Sequence, residues 1–472
     1  MYSIINLIRL SKMKKKDKSF NKKLKKDEVE AIQRPPLYPH APRYMNDYID
    51  NLISRKDFDF IKSPQLEGAI NLGLIAFSMI AIKYTYIWLS DGYYLFIKTE
   101  IKYCIAYGIL FIIAYDLISG LFTLITFFIY KLFLRGNLKR RELLALHYLY
   151  LLLFTVNSLY FQWSLTPVFS IISTTILSSY LMKIHSFVCT NILLHNNVKE
   201  KFEDIIKRDK KRRDKDEIQG DPEYLYPDNI NLNNYLYFIY CAPSLVYETK
   251  FVRTKEIRIG YIIKESLTFI GCCFTILSIL SQFILPVTLN SKGDSFKEVI
   301  ENVFTLCIPS TLIWILIFYG YFHCWLNLKS EICRYGNRDY YKDWWNSDSI
   351  TTFWRKWNLL LREWCIRHIF VDLIYYFNTS KDVATIVVAI VTLVLNELYL
   401  SIGFKVTQPY FLIVMLTQIP LAFLSTKSKN SRRAGNMITW ISVLISQPLV
   451  NIMYFRNWIS ATYKDDRSFW CS

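Results

Sequence analysis

Long, nearly uncharged apolar blocks restrict this chain of 472 residues to a membrane fold. A helix needs roughly 20 predominantly apolar residues to cross a bilayer, and its backbone hydrogen bonds must be satisfied internally. The sequence therefore predicts an all-α polytopic membrane protein with about nine spans. Leu121–Leu134 either adds another span or extends the block before it. The predicted spans are Ala69–Ser90, Ile101–Ile118, Leu143–Trp163, Val168–Cys189, Ile262–Leu285, Val303–Leu326, Val383–Phe404, Tyr410–Leu424 and Met437–Phe455.

The basic residues are unevenly distributed, which predicts an orientation in the membrane. The formal net charge is +18, and the runs Lys12–Lys26 and Lys199–Lys215 supply much of it. Because Lys and Arg near span ends mark the cytoplasmic side, both runs are predicted to be cytosolic. They act either as topology determinants or as binding sites for anionic lipid. Nucleic acid is not expected as a partner, since no recognition module accompanies the charge. Met1–Leu10 is apolar but short, and the basic run follows it, so no cleavable signal peptide is predicted.

Composition changes along the chain predict five regions. Residues 1–65 form a polar, basic cytosolic arm, and residues 66–195 form the N-terminal transmembrane helices. Residues 196–234 form a charged cytosolic loop. A C-terminal core over residues 235–464 holds the motifs that carry chemistry, and residues 465–472 are a tail.

The ten cysteines are scattered along the chain. Cys272 and Cys273 are adjacent inside an apolar block, and no C-x-x-C motif or Cys/His spacing indicates zinc. The sequence therefore predicts buried, reduced thiols, with no metal site and no bound cofactor.

An aromatic and basic stretch near residue 350 is typical of a segment at the bilayer surface. Tryptophans mixed with charged side chains in Tyr340–Asn346 suit the headgroup region. Thr352–Phe370 is predicted to be one amphipathic helix in the interface plane. Periodicity alone leaves open whether it only anchors the chain; Asn358, an amide beside Trp357, favours a chemical role. The predicted face consists of Trp354, Trp357, Leu361, Trp364 and His368.

Polar side chains inside apolar spans are costly to bury, so they mark candidate functional positions. Asn396 and Glu397 lie midway along Val383–Phe404, and Gln418 and Gln447 lie in the two spans that follow. For each glutamine a hydrogen bond between helices is the alternative interpretation. A transporter would also use such groups, but no repeat relates two halves of this chain.

A co-linear set of motifs over residues 140–460 closely resembles the membrane-bound O-acyltransferase family, in particular its branch that esterifies diacylglycerol. The branch that esterifies sterols shares only part of the set and is the alternative. The motifs are Tyr226–Asn229, Cys241–Glu248, Phe322–Asn327, Tyr340–Asn346, Cys365–His368, Gln418–Ala422, Gly435–Asn436, Gln447–Pro448 and Met453–Tyr454.

The resemblance implies a helical bundle around a buried reaction chamber, open to cytosolic CoA and to lipid. It implies acyl-CoA-dependent conversion of diacylglycerol to triacylglycerol in the endoplasmic reticulum membrane, with no cofactor beyond the co-substrate. A homodimer or homotetramer is also implied.

The resemblance also implies roles for single residues. Asn396, Glu397 and Asn358 stand at catalytic positions, and Gln418 and Gln447 line the substrate chamber. The residues implied in acyl-CoA binding are Tyr340, Asp343, Trp344, Trp345, Trp354, Trp357 and Arg362.

One departure bears directly on catalysis, because Asn396 stands where the family has a histidine. An imidazole can take a proton near neutral pH and a carboxamide cannot. Either activity survives, with Glu397 as a substitute base, or the chain is an impaired homologue that binds lipid or acyl-CoA. His323 and His368 are further candidate bases, although a structural role is the preferred interpretation of each. Milder departures are Tyr340 in place of phenylalanine, and the loss of a proline and a histidine between Trp357 and Trp364.

Overall fold

Helices are the main secondary structure in the described part of the chain. The computed structural model describes residues 109–162, 165, 167–197, 226–249, 251–290, 295–375, 377–427 and 432–462. These ranges contain no β-strand, only an isolated antiparallel bridge between Arg253 and Tyr335. The predicted all-α class is therefore confirmed. The predicted arm, the span Ala69–Ser90, most of the charged loop and the tail lie outside the described residues.

The helices are numbered in chain order, and π-helical turns extend several of them. The helices are α1 Ile109–Leu134, α2 Arg140–Gln162, α3 Pro167–Asn197, α4 Leu232–Leu236, α5 Ile259–Ile279, α6 Phe296–Phe318, α7 Ile350–Trp357, α8 Leu359–Cys365, α9 Lys381–Phe404, α10 Tyr410–Lys427 and α11 Arg432–Thr462. The π-helical segments are Tyr237–Cys241 after α4, Leu280–Ile284 leading from α5 into Leu285–Asn290, Tyr319–Trp325 leading from α6 into Leu326–Ile332, and Ile366–Phe370 leading from α8 into Val371–Tyr375.

Seven helices of the described chain are long and apolar enough to cross a membrane. They are α1, α2, α3, α5, α6, α9 and α11, where α5 and α6 include their π-helical extensions. The blocks Ile101–Ile118 and Leu121–Leu134 are not separate spans, because α1 runs through both from Ile109. The predicted span Tyr410–Leu424 forms α10, but its apolar part, Tyr410–Ala422, is shorter than the other seven.

The spans turn apolar side chains outward and polar ones inward, the reverse of a soluble protein. On α9, Ile390, Val394 and Leu398 are exposed, whereas Glu397 is only 6% exposed. Lipid offers no hydrogen bonds, so an outward polar group would be left without partners. The arrangement is therefore the one expected of helices surrounded by hydrocarbon.

Helix α9 packs closely against α3. A Cβ atom at Gly403 would lie 2.5 Å from the Ile171 side chain, so glycine is required for this approach. Two hydrogen bonds cross the same interface: Ser170 Oγ donates to the Ile402 carbonyl at 3.2 Å, and the Thr175 and Tyr399 hydroxyls lie 2.5 Å apart. Small and hydroxylated side chains are the usual means of close helix packing in membranes.

A buried lysine fixes the turn after α4 to α3. Lys183 is 3% exposed, and its Nζ donates to the carbonyls of Phe238, Ile239 and Ala242 at 2.8, 2.9 and 2.6 Å. These carbonyls lie at the end of the π-helical segment Tyr237–Cys241, where a cation is favoured by the unsatisfied backbone oxygens. Lys183 thereby links the segment before Glu248 to the membrane bundle.

We expect Lys183→Met to lower the stability of the protein markedly. The substitution leaves three buried carbonyls without their donor, and each unsatisfied group costs about 1–3 kcal/mol. The measurement is the thermal unfolding midpoint of the protein in detergent. Lys297→Met is the control, because Lys297 is 85% exposed and makes a surface ion pair worth about 0.5 kcal/mol. Equal midpoints for the two variants would contradict the prediction.

Candidate functional site

The carboxylate of Glu397 joins the three helices α9, α10 and α11. Its Oε1 accepts hydrogen bonds from the Ser401 hydroxyl at 2.9 Å and from the Tyr454 hydroxyl, and its Oε2 accepts one from the backbone N–H of Leu412 at 2.8 Å. Ser401 belongs to α9, Leu412 to α10 and Tyr454 to α11. A buried charge requires such donors, since no water replaces them in the apolar interior.

These contacts favour an anchoring role for Glu397. An ionised carboxylate has about four lone-pair positions, and three are directed at protein donors here. The three donors come from three helices that pack together, so moving the carboxylate toward a substrate would break contacts between spans. The role of Glu397 as a substitute base stays a prediction, and the geometry gives it no support.

Asn396 lies on a different face of α9 from Glu397. Its Nδ2 donates to the Thr392 carbonyl at 2.8 Å, and Thr392 Oγ1 lies 3.9 Å from Cys365 Sγ at the end of α8. Residues three and four apart share one helix face, so Asn396 lies on the side of α9 that carries both Thr392, near the end of α8, and Tyr399, which contacts α3. It is half-buried, and its carboxamide can orient a hydroxyl group but cannot accept its proton.

Asn358 breaks the segment that the sequence predicts as one helix. Its backbone is extended, with φ −136° and ψ 96°, and its Oδ1 accepts a hydrogen bond from the Leu361 N–H at 3.0 Å. It is therefore the C-cap of α7 and the N-cap of α8, a position that asparagine favours. The prediction of a continuous helix over Thr352–Phe370 is wrong. The proposed contact of Asn358 with substrate stays a prediction.

The tryptophans predicted to bind acyl-CoA form one aromatic cluster. Trp357 of α7 stacks on Trp314 of α6 with ring centroids 4.2 Å apart, and Trp344 packs edge-on against both. Trp344 is 4% exposed, so its ring is part of the interior. The sequence indicates neither Trp314 nor Phe318 as a partner. The cluster contains Trp314, Phe318, Phe322, Tyr341, Trp344, Trp345, Phe353, Trp354, Trp357, Trp440 and Val443.

Helix α11 holds this aromatic segment in place. Asn436 Nδ2 donates to the carbonyls of Trp345 and Ser347 at 3.0 and 2.9 Å. At Gly435 a Cβ atom would lie 1.9 Å from the Asp348 carbonyl, so only glycine allows the contact. The Gly435–Asn436 motif therefore has a structural explanation: it fixes the loop that follows Trp344.

Polar contacts fix the start of the same segment. Tyr340 is 1% exposed, its hydroxyl bonds the Ser330 hydroxyl, and its carbonyl accepts from the Leu359 N–H at 3.0 Å. Asp343 forms an ion pair with Lys356 at 2.8 Å. Tyr340 thus ties the segment to the helix that extends α6 and to the start of α8, and Asp343 ties it to α7.

The other predicted residues are placed as follows. Gln418 is buried on α10 and Gln447 is half-buried on α11, two helices that pack together. Trp354 belongs to the aromatic cluster, and Arg362 is half-buried on α8, one turn beyond Asn358. Helix α9, which carries Asn396, packs against both α10 and α11.

Both histidines considered as alternative bases have hydrogen-bond partners. His323 Nδ1 lies 2.6 Å from the Tyr341 hydroxyl, and His368 Nε2 lies 2.8 Å from the Ser186 hydroxyl. The sequence singles out Tyr454 only as part of a closing motif, yet it is a principal partner of Glu397. Its hydroxyl group, near the end of an apolar span, is the signal that could have indicated this role.

Glu248 lies in the loop that packs on α3. The N–H of its neighbour Tyr247 donates to Ser186 Oγ at 2.8 Å. Burial raises the pKa of Glu248 to about 7, since desolvation outweighs the favourable charge of Arg367, and the Glu363 carboxylate adds to the rise. The carboxyl group is therefore partly protonated near neutral pH.

Comparison with known proteins identifies similar chains. The family model described as membrane-bound O-acyltransferase matches residues 143–456, close to the range over which the motifs indicate a resemblance. Diacylglycerol O-acyltransferase 1 of Dictyostelium discoideum is 32% identical over 239 residues, which are 50% of this chain and 38% of that protein. The proteins of the same name from Bos taurus and Homo sapiens are 32% and 31% identical, over 49% and 51% of this chain and 48% and 49% of their own. The chain thus spans half or less of the length of these relatives.

We expect Tyr454→Phe to destabilise the bundle by about 1.5–3 kcal/mol, the usual contribution of a hydrogen bond to a charged group. Glu397→Gln should also destabilise it, because an amide presents its NH₂ group to one of the donors. The measurement is the thermal unfolding midpoint in detergent, with the exposed Tyr148→Phe on α2 as the matched control. A midpoint for Tyr454→Phe equal to that of the control would show that this contact does not stabilise the fold.

We expect Glu248→Gln to remove a pH dependence of stability. A carboxyl group whose pKa is raised from 4.5 to about 7 by folding binds its proton more tightly in the folded state. The destabilisation by its charged form therefore grows between about pH 5 and pH 7 and is complete above that. Glu248→Gln should match the wild-type unfolding midpoint near pH 5 and exceed it near pH 8. The exposed Glu256→Gln is the control; an equal difference at both pH values for Glu248→Gln would refute the prediction.

Proposed function

Because the chain belongs to the membrane-bound O-acyltransferase family, we propose that it transfers an acyl group from acyl-CoA to the free hydroxyl of diacylglycerol. The single observation that carries the acceptor assignment is the similarity of half the chain to several proteins named diacylglycerol O-acyltransferase 1. The hydroxyl oxygen attacks the thioester carbonyl, the carbon–sulfur bond breaks, and the hydroxyl proton ends on the CoA sulfur. The products are triacylglycerol and free CoA.

The proposed site lies where α9 faces α8. Asn396 orients the acceptor hydroxyl through its carboxamide oxygen, and Glu397 holds α9 in register with α10 and α11. Asn358, at the start of α8, is the second polar group proposed to contact the reacting atoms. This arrangement is supported by the contact between Thr392, which shares the Asn396 face, and Cys365 at the end of α8.

The aromatic cluster and its anchored loop are proposed to form the path for acyl-CoA. The candidate residues Trp344, Trp354 and Trp357 pack together and are held by α6 and α11. A fixed aromatic wall positions an acyl chain without reorganising, which favours reaction through orientation. Gln418 and Gln447 are proposed to contact the substrate from α10 and α11. The proposal further includes the endoplasmic reticulum membrane as location and a homo-oligomer as the assembled form.

The absence of an imidazole at position 396 sets the expected rate. General base catalysis typically contributes 10²–10⁴-fold, or about 3–5 kcal/mol of the barrier. Orientation of the reactants and exclusion of water do not depend on that base. The proposed enzyme is therefore slow relative to a homologue with histidine at this position.

A second candidate is a homologue that binds lipid or acyl-CoA without turnover. Two observations favour it specifically: Asn396 cannot accept a proton, and three protein donors occupy the Glu397 carboxylate. A binding protein needs the aromatic cluster and the apolar bundle but not a base. Turnover by the wild-type protein separates the two candidates.

We expect cells that lack triacylglycerol and sterol-ester synthesis to form triacylglycerol when they express this chain. Asn396→His should raise the initial rate by about 10²-fold, the lower end of the contribution of a general base. The measurement is separation of radiolabelled lipid products at matched expression. Asn137→His, in an exposed turn after α1, is the control and should leave the rate unchanged.

The other outcomes discriminate among the alternatives. Sterol ester as the product would replace diacylglycerol with a sterol acceptor. No neutral lipid from the wild type, with activity appearing only in Asn396→His, would establish the impaired homologue. No product from either protein, at normal membrane expression, would reject an acyltransferase acting on these acceptors.

A further inference from the structure

Three histidines and a cysteine from separate segments meet inside the helical bundle. His147 lies on α2, His185 and Cys189 lie one turn apart on α3, and His368 lies in the π-helical turn after α8. Cys189 Sγ is 3.5 Å from His185 Nε2, and one possible ligand atom from each of His185, Cys189 and His368 lies within 4.8 Å of the others. The proposed acyl transfer uses none of these contacts.

The distances suit a small ion that prefers nitrogen and sulfur ligands. Zinc binds imidazole nitrogen at about 2.0–2.1 Å and thiolate sulfur at about 2.3 Å in tetrahedral geometry. Ligand atoms on one ion are then separated by roughly 3.3–3.7 Å. The Cys189–His185 separation already falls in this range, and the remaining separations, all within 4.8 Å, require a closure of at most about 1.5 Å to reach it.

The second nitrogen of each ligating histidine has a partner. His185 Nδ1 lies 3.5 Å from His147 Nε2, and His368 Nε2 lies 2.8 Å from Ser186 Oγ. Ser186 is fixed in turn by the Tyr247 N–H at 2.8 Å. Metal-binding histidines almost always donate their other ring N–H to such a group, which sets the tautomer and the ring direction. These partners leave His185 Nε2 and His368 Nδ1 as the nitrogens that would bind the ion.

Aromatic packing alone does not account for the cluster. The His185 ring does pack against Trp364 and His368, with centroids 5.7 and 5.5 Å apart. However, apolar rings would pack equally well without burying polar nitrogens, which is costly when they lack partners. His147 is 1% exposed and its Nδ1 has no hydrogen-bond partner in the described structure. One ion bound by the thiol and the two imidazoles would explain why these three groups converge.

We propose that His185, Cys189 and His368 bind one Zn²⁺ ion, with His147 and Ser186 orienting the two histidines. Binding displaces the Cys189 thiol proton to solvent, and both imidazoles stay neutral. The ion and the thiolate together carry one net positive charge, and Asp372 lies close enough to Cys189 for an electrostatic interaction. The ion links α3 to the π-helical turn that packs against α9. The proposal is independent of the acyltransferase assignment.

The test uses the full chain, purified in detergent without a polyhistidine tag. Mass spectrometry should find about one zinc per chain, and exchange for Co²⁺ should produce a thiolate-to-cobalt charge-transfer band in the near ultraviolet. Cys189→Ser should abolish the band and the bound ion. The matched control Cys307→Ser, a half-buried cysteine in the α6 span, should keep both. His147→Phe should weaken binding about 10–100-fold, as loss of an orienting group does.

Wild-type measurements keep the proposal testable if a variant fails to fold. A monodisperse wild-type protein that binds neither Zn²⁺ nor Co²⁺ after reloading under reducing conditions would overturn it. A charge-transfer band that persists in Cys189→Ser, or that disappears in Cys307→Ser, would place the thiolate elsewhere and overturn it as well. Added Zn²⁺ should raise the unfolding midpoint of the wild type and leave that of Cys189→Ser unchanged.

Discussion

The hydrogen bonds of the Glu397 carboxylate hold the membrane bundle together at the point on which the site depends. In hydrocarbon a charged group without donors would be very costly, so the three donors from α9, α10 and α11 are a requirement of burial. Adjacent helical residues point about 100° apart. Fixing Glu397 toward α10 and α11 therefore directs Asn396 to another face, the one that meets α8. The anchoring residue and the residue proposed to contact the substrate are therefore neighbours in sequence that face different partners.

The segment between α6 and α9 is likewise divided into parts that pack against different partners. The break at Asn358 sends α7 to the aromatic cluster and α8 to the interface with α3, where Trp364 Nε1 donates to the Met182 carbonyl at 2.9 Å. A straight helix would present Trp357 and Trp364 to one surface, whereas the break lets each pack against a different partner. The residues proposed to handle acyl-CoA and those near α9 are thus held by different parts of the bundle, with Asn358 at the junction.

Composition and motif order predict the class, most of the spans and the identity of the polar positions, because apolar length and residue type are local properties. The partners of Glu397 are not local, since Leu412 and Tyr454 lie 15 and 57 residues away. The break at Asn358 has a local signal, the preference of asparagine for helix N-caps, which a plot assuming 3.6 residues per turn overlooks. The histidine and cysteine cluster has only a partial local signal, His185 and Cys189 one turn apart on α3, because His147 and His368 come from two other segments.

The π-helical turns are a second departure from regular helical periodicity in the C-terminal half. Each wide turn inserts an extra residue into the helix and rotates everything after it relative to a regular helix. One such turn carries His323, which contacts Tyr341, and another carries His368, which contacts Ser186. π-helical turns are frequent at functional sites, and here they occur in the segments on either side of the aromatic cluster.

For the proposed acyl transfer, the energies involved are compatible with slow catalysis in the absence of a histidine base. Losing a general base costs about 3–5 kcal/mol of barrier, whereas holding two reactants in a reactive geometry contributes about 7–11 kcal/mol. A thiol is a much stronger acid than an alcohol, so CoA can leave as a thiolate without prior protonation. The thiolate then takes up the proton of the attacking hydroxyl group. A site that holds the diacylglycerol hydroxyl against the thioester therefore retains most of its advantage when Asn396 replaces the imidazole. The anchoring of Glu397 supplies the rigidity that such a site requires.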